Sequence, residues 1–170
     1  MNRLCIACKN GNLKELEIEL LNGADPTADR NLAVRLAARN GHLDVVNRLL
    51  EFDGVDPADD DNEAIIWAAH NGHLDVVNRL LAIEGVDPAA DNNLVIGYAA
   101  SKGHLDIVNR LLECDGVAPA ARNNAAIRWA AANGHLDVVN RLLEIDGVDP
   151  SDGNNEAIKK RLQTGIKKWF

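Results

Sequence analysis

Apolar and polar positions return along this chain in one pattern every 31 residues. Within residues 62–92, the run Ala64-Ile65-Ile66-Trp67-Ala68-Ala69 predicts a short first helix. His70-Asn71-Gly72 interrupts it, and Gly72 is suited to the left-handed conformation that ends helices. Leu74 to Leu81 predicts a second helix, with Leu74, Val77 and Leu81 on one stripe and Leu80 beside them. Asp75 and Arg79 fall on the far side in the favourable acid-first order. Gly85 and Pro88 then stop the chain, since proline cannot continue a helix.

Asn71 to Leu81 recurs almost unchanged as Asn40 to Leu50, Lys102 to Leu112 and Asn133 to Leu143, with a looser copy opening at Asn10. Every proline sits in one column, Pro26, Pro57, Pro88, Pro119 and Pro150. Breakers fixed at one position per period mean a helix–turn–helix–loop unit stacked on itself. The expected organisation is a single repeat domain over 1–170, with units 1–30, 31–61, 62–92, 93–123 and 124–154. A C-terminal capping helix is expected over 155–170, where Lys160 and Arg161 stand in place of the apolar triplet.

Ala-Ala-x-Asn-Gly-His-Leu-Asp-Val-Val-x-x-Leu-Leu followed by Gly-Val-Asp-Pro resembles the ankyrin repeat, and the resemblance covers essentially the whole chain. It implies an all-α solenoid of stacked antiparallel helix pairs, loops projecting as fingers, a concave face of first helices and fingers, and a role in binding other proteins. The chain departs from the family in period, 31 residues here against about 33. The family's Thr-Pro-Leu-His start is absent; its slots hold Leu32 to Arg35, Glu63 to Ile66, Leu94 to Gly97 and Ala125 to Arg128. The fingers should therefore be short. Repeats of this kind are similar to those of giant viruses and intracellular bacterial effectors, and the near-identity of the units equally suggests a consensus-type design.

Charge sharpens the expectation about partners. The net charge of −8 splits into −13 over residues 1–156 and +5 over the remainder. An acidic body repels phosphates and favours a basic or mixed-charge protein, not nucleic acid. No apolar stretch long enough to span a membrane is visible, and Ile166 to Phe170 is too short an amphipathic tail to anchor one alone. Three cysteines, Cys5, Cys8 and Cys114, make no disulfide framework and suit a reducing, cytoplasmic setting, which would be the host cytoplasm for an effector.

Candidate chemistry is sparse. His42, His73, His104 and His135 recur at second-helix starts, but packed helices lie about 10 Å apart, too far for two rings to share one zinc at about 2 Å per ligand. A bond to the neighbouring turn is the expected role. Cys5 and Cys8 lie one turn apart in a helix, with Cys8 in the small slot of Ala38 and Ala69. Asp56, Asp59, Asp60, Asp61 and Glu63 lack the spaced ligands of a calcium loop. Asp44–Arg48 and its copies are read as a charged ladder, and Asn47, Asn78, Asn109 and Asn140 as bonding the adjoining repeat's backbone. No nucleophile elbow, phosphate-binding loop or metalloprotease helix appears, so no enzyme activity, cofactor or metal is expected.

The informative columns vary while the frame stays fixed. They place Arg35, Arg39, Glu63, Ile66, His70, Ser101 and Arg128 opposite the inward side of the first helices. Trp67, Tyr98 and Trp129 flank that surface, either as inter-repeat packing or as partly exposed aromatic anchors. The expected function is non-catalytic recognition of a protein partner by a monomer through these ten residues. The alternative is a consensus-like or designed scaffold with no natural ligand.

Overall fold

The computed structural model describes residues 2–149, so the expected capping helix and basic tail lie outside the described residues. Among them are ten α-helices and no strand: α1 Arg3–Asn10, α2 Leu13–Leu21, α3 Ala28–Arg39, α4 Leu43–Leu49, α5 Asp59–Asn71, α6 Leu74–Leu81, α7 Ala90–Lys102, α8 Leu105–Leu112, α9 Ala121–Asn133 and α10 Leu136–Leu143. They fall into two compact units, Met1–Asp87 and Pro88–Phe170. In the first, α1, α3 and α5 form a layer of first helices, and α2, α4 and α6 a layer of second helices. In the second, α7 contacts α9 and α8 contacts α10 in the same way. The architecture is the all-α stack of helix pairs that the 31-residue period predicts.

The core follows the apolar stripe. Val76, Val77 and Leu80 of α6 are fully buried, as are Val45, Val46 and Leu49 of α4 and Ile107, Val108 and Leu111 of α8. Burying a side chain of this size contributes about 1.5–3 kcal/mol. Small first-helix residues, Ala37, Ala38, Ala68, Ala69, Ala99 and Ala100, let neighbouring helices approach closely.

The histidines join successive repeats. His42 Nε2 donates to the Lys9 carbonyl at 3.0 Å, His73 to the Arg39 carbonyl at 3.2 Å and His135 to the Ser101 carbonyl at 3.1 Å. Each ring lies against the glycine of the preceding repeat: a Cβ on Gly41, already at φ +75°, would stand 2.5 Å from His73 Nδ1. Glycine is thus required there twice over, by backbone conformation and by space.

Two readings of the second helices need correction. The i, i+4 ladder does not form. Asp44, Asp75, Asp106 and Asp137 instead accept from the next residue's N–H at the helix start, where a negative charge is favoured. That frees the arginines: Arg48 pairs with Glu17 and Glu51, and Arg141 with Glu144. Asn47 and Asn109 bond a side chain of the next repeat, not its backbone, whose groups are taken up by their own helix. Asn47 Oδ1 accepts from Arg79 Nε at 2.7 Å, and Asn109 Oδ1 from Arg141 Nε at 2.7 Å.

Each first helix after α1 opens with a feature absent from the sequence reading. Asp29-Arg30-Asn31, Asp60-Asp61-Asn62, Asp91-Asn92-Asn93 and Arg122-Asn123-Asn124 are each three left-handed residues in a row, with φ between 46° and 66°. A non-glycine residue there costs about 1–2 kcal/mol, and Asn and Asp tolerate it best. One backbone bond closes each turn, such as Asn62 N–H to the Ala58 carbonyl at 3.0 Å. The last asparagine of each triplet then reaches 25 residues ahead. Asn31, Asn62, Asn93 and Asn124 accept from the N–H groups of Asp56, Asp87, Ala118 and Asp149 at 2.6–3.0 Å. Each of those residues precedes a proline, which holds it extended and leaves its N–H outside any helix. One asparagine per repeat therefore ties down the following finger.

Candidate functional site

The variable columns lie on the first helices, and the two units use them differently. In unit 1 the centre is Arg35, at 9% exposure. Its guanidinium bonds Asp60 and Glu63 of the next repeat and the Asp29 carbonyl at 3.3 Å. Glu63 also accepts from Trp67 Nε1 at 2.8 Å. Partial burial raises the Glu63 pKa, but hydrogen bonds from Arg35 and Trp67 and the charges of Arg35 and Arg39 outweigh it, leaving the carboxyl below its ordinary range. The Arg39 guanidinium covers the Trp67 ring at 4.4 Å, and His70 meets the same ring edge-on at 5.2 Å. In unit 2 the corresponding columns hold aromatic packing. Tyr98 and Trp129 stack at 5.9 Å between centroids with 22° between planes. A Cβ on Gly97 would stand 2.9 Å from the Trp129 ring. Arg128 gives one N–H to the Asn123 carbonyl at 3.5 Å, and its Nε is buried without a partner.

Two of the ten residues chosen from the sequence are not on an open surface. Ile66 is only 7% exposed, and Arg35 is buried in its ion-pair network. Their column faces neighbouring first helices, as Gly97 under Trp129 shows within unit 2. Arg39 is exposed, whereas Glu63, Trp67, His70, Tyr98, Ser101, Arg128 and Trp129 are half-buried. Glu63, Trp67, Arg39 and His70 come together in unit 1, and Tyr98 and Trp129 in unit 2. The asparagine column at 31, 62, 93 and 124 was missed. Its signal was present, an asparagine repeated at every period within two residues of an apolar run.

Cys5 and Cys8 are buried and poorly placed for nucleophilic chemistry. Burial, with Cys5 adding to it, pushes the Cys8 thiol up to about 12, so the nucleophilic thiolate is suppressed. Among the described residues, no group of three or more His, Cys, Asp or Glu could hold a metal ion.

A family model described as ankyrin repeats, in three copies, matches residues 4–93 and 81–154. The chain belongs to the ankyrin-repeat family. No curated protein matches it. Ankyrin repeats are protein-interaction modules, and their all-α fold is typically non-enzymatic. Among the described residues of this ankyrin protein, no helix is long and apolar enough to cross a membrane.

Proposed function

We propose that this chain is a non-catalytic recognition module that binds a partner protein through its first-helix face and fingers. One observation carries the reading: the columns that build the turns and the second-helix core are nearly invariant, whereas the columns on the outer side of the first helices change from repeat to repeat. The histidine, glycine and second-helix leucine columns repeat, while Arg39, His70, Ser101 and Ala132 share one column and no chemistry. Arg39, Trp67 and His70 in one unit, and Tyr98, Ser101, Arg128 and Trp129 in the other, are the contact residues; Arg35 and Glu63 hold that surface in shape. Tied fingers and histidine-pinned turns leave little ordering entropy to oppose binding. Acidic fingers around Asp53, Asp56 and Asp59 to Asp61 favour basic groups on the partner, and repel nucleic acid. The five units of the 31-residue period are read as one array acting as a monomer, and the free thiols suit the cytoplasm.

The test is retention of proteins from eukaryotic lysate at about 150 mM salt, where surface charges are well screened. The control carries His70→Glu and Ser101→Glu, half-buried positions outside the core. A protein held by the parent and lost by this control supports the reading. Equal retention by both sinks it, and retention of nothing by either favours a scaffold without a natural ligand.

A further inference from the structure

Charge on the unit 1 first-helix layer is segregated along the helices. The finger end carries Asp53, Asp56, Asp59, Asp60, Asp61 and Glu63, of which Asp60 and Glu63 are paired with Arg30 and Arg35. The turn end carries no carboxylate over residues 2–14, 32–43 or 64–74, and it presents Lys9 and Arg39 from the last turns of α1 and α3. These two cations line a groove of about 280 Å³ together with Leu36 and Asn40. Both side chains are exposed, and neither makes a hydrogen bond or ion pair among the described residues; Arg39 rests on the Trp67 ring and lies near enough to Glu63 to help lower its pKa. Their backbones are fixed from the next repeat. His42 holds the Lys9 carbonyl, and both Asn71 and His73 hold that of Arg39. Asn40 is fixed by its own bond to the Leu36 carbonyl at 2.8 Å.

We propose that this groove binds an acidic peptide segment of the partner, one side chain over Leu36 and carboxylates on Lys9 and Arg39. The proposal rests on the protein-recognition reading and narrows it. The −8 of the whole chain does not forbid it. Eight helical residues at 1.5 Å each put Asp60 and Asp61 about 12 Å from the groove; Glu63 is nearer, but its carboxylate is already held by Arg35 and Trp67. The screening length is about 8 Å at physiological salt, so the local cations prevail. Helix C-termini favour cations at these positions. That accounts for where the two residues sit, but a helix end carries only about half a charge and does not neutralise both. A stacked guanidinium keeps its N–H edge directed outward, in the geometry that receives a carboxylate through two bonds. A partner with an acidic stretch here and basic groups at the fingers would be fixed in one direction along the first helices.

The experiment titrates the full chain into a fluorescein-labelled peptide, Gly-Leu-Glu-Glu-Leu-Glu-Gly, and into its counterpart with Gln for each Glu, following anisotropy at 50 mM salt. The expected result is at least about fivefold tighter binding of the acidic peptide, shrinking as salt approaches 300 mM. Lys9→Gln with Arg39→Gln should erase that preference. Lys9→Gln alone, at an exposed side chain without partners, should reduce it by about half and cannot be blamed on misfolding. Equal binding of both peptides, or an undiminished preference in the double variant, overturns the assignment. Lysate proteins still lost through His70→Glu and Ser101→Glu would then leave the broader recognition reading standing, so the two failures are separable.

Discussion

Arg35 and Arg128 occupy the same place in their repeats, three periods apart, yet live in different chemistry. Arg35 is closed in by Asp60 and Glu63, whereas Arg128 has a backbone carbonyl as its partner among the described residues. Around Arg35 the face is an ion-pair network capped by Trp67 and Arg39; in unit 2 it is Gly97 with Tyr98 stacked on Trp129. The second helices beneath are almost the same sequence in both units. One frame thus carries two unlike surfaces, because the frame's contacts come from columns that the face does not use.

The largest break in this comparison is Arg35→Ala. It leaves two carboxylates facing each other and should cost about 2–3 kcal/mol by urea unfolding, less than a fully buried pair because both acids are partly wet. Arg128→Ala should cost below about 1 kcal/mol. Next is Gly97→Leu, which forces Trp129 off Tyr98; about 1–2 kcal/mol is expected, with a shift in tryptophan emission.

Glu63→Gln sharpens the same contrast through pH. The folded pKa of Glu63 lies below its unfolded value, so the unfolded chain takes up the proton first. The carboxylate's contribution is present above about pH 4.5 and fades as pH falls through the folded value. The parent should therefore exceed Glu63→Gln by about 0.5–1 kcal/mol at pH 7, after allowing for solvent exposure, and the two melting temperatures should converge as pH falls through the folded value. The smallest effect is Asn47→Ala, removing a solvent-edge bond to Arg79, at about 0.5 kcal/mol.

What was legible in the sequence was repetition that acts through local rules. Glycine, proline and leucine columns act through local backbone rules and one buried stripe, so helices, turns and fold class could be read from them. The role of His73 was legible too, since its spacing ruled out a shared metal and left the neighbouring turn. The partner of each long polar side chain was not. Asp75 and Arg79 satisfy the helix-surface rule, yet the helix start took the acid and Asn47 of the preceding repeat took the arginine. Ile66 looked outward by helical period, but the surface around a first helix is decided by its neighbour, which the period of one helix does not encode. The left-handed triplets stayed hidden because their stabilising bonds join residues 25 positions apart.

The most direct test of the division between frame and face is the affinity of a captured partner for three proteins with matched melting temperatures. These are the parent, the first-helix variant His70→Glu with Ser101→Glu, and a second-helix variant Asp75→Asn with Asp106→Asn. Binding should weaken about tenfold or more in the first-helix variant and stay within about twofold in the second-helix variant. Equal weakening in both, or loss confined to the second-helix variant, would contradict the account and move recognition off the first helices.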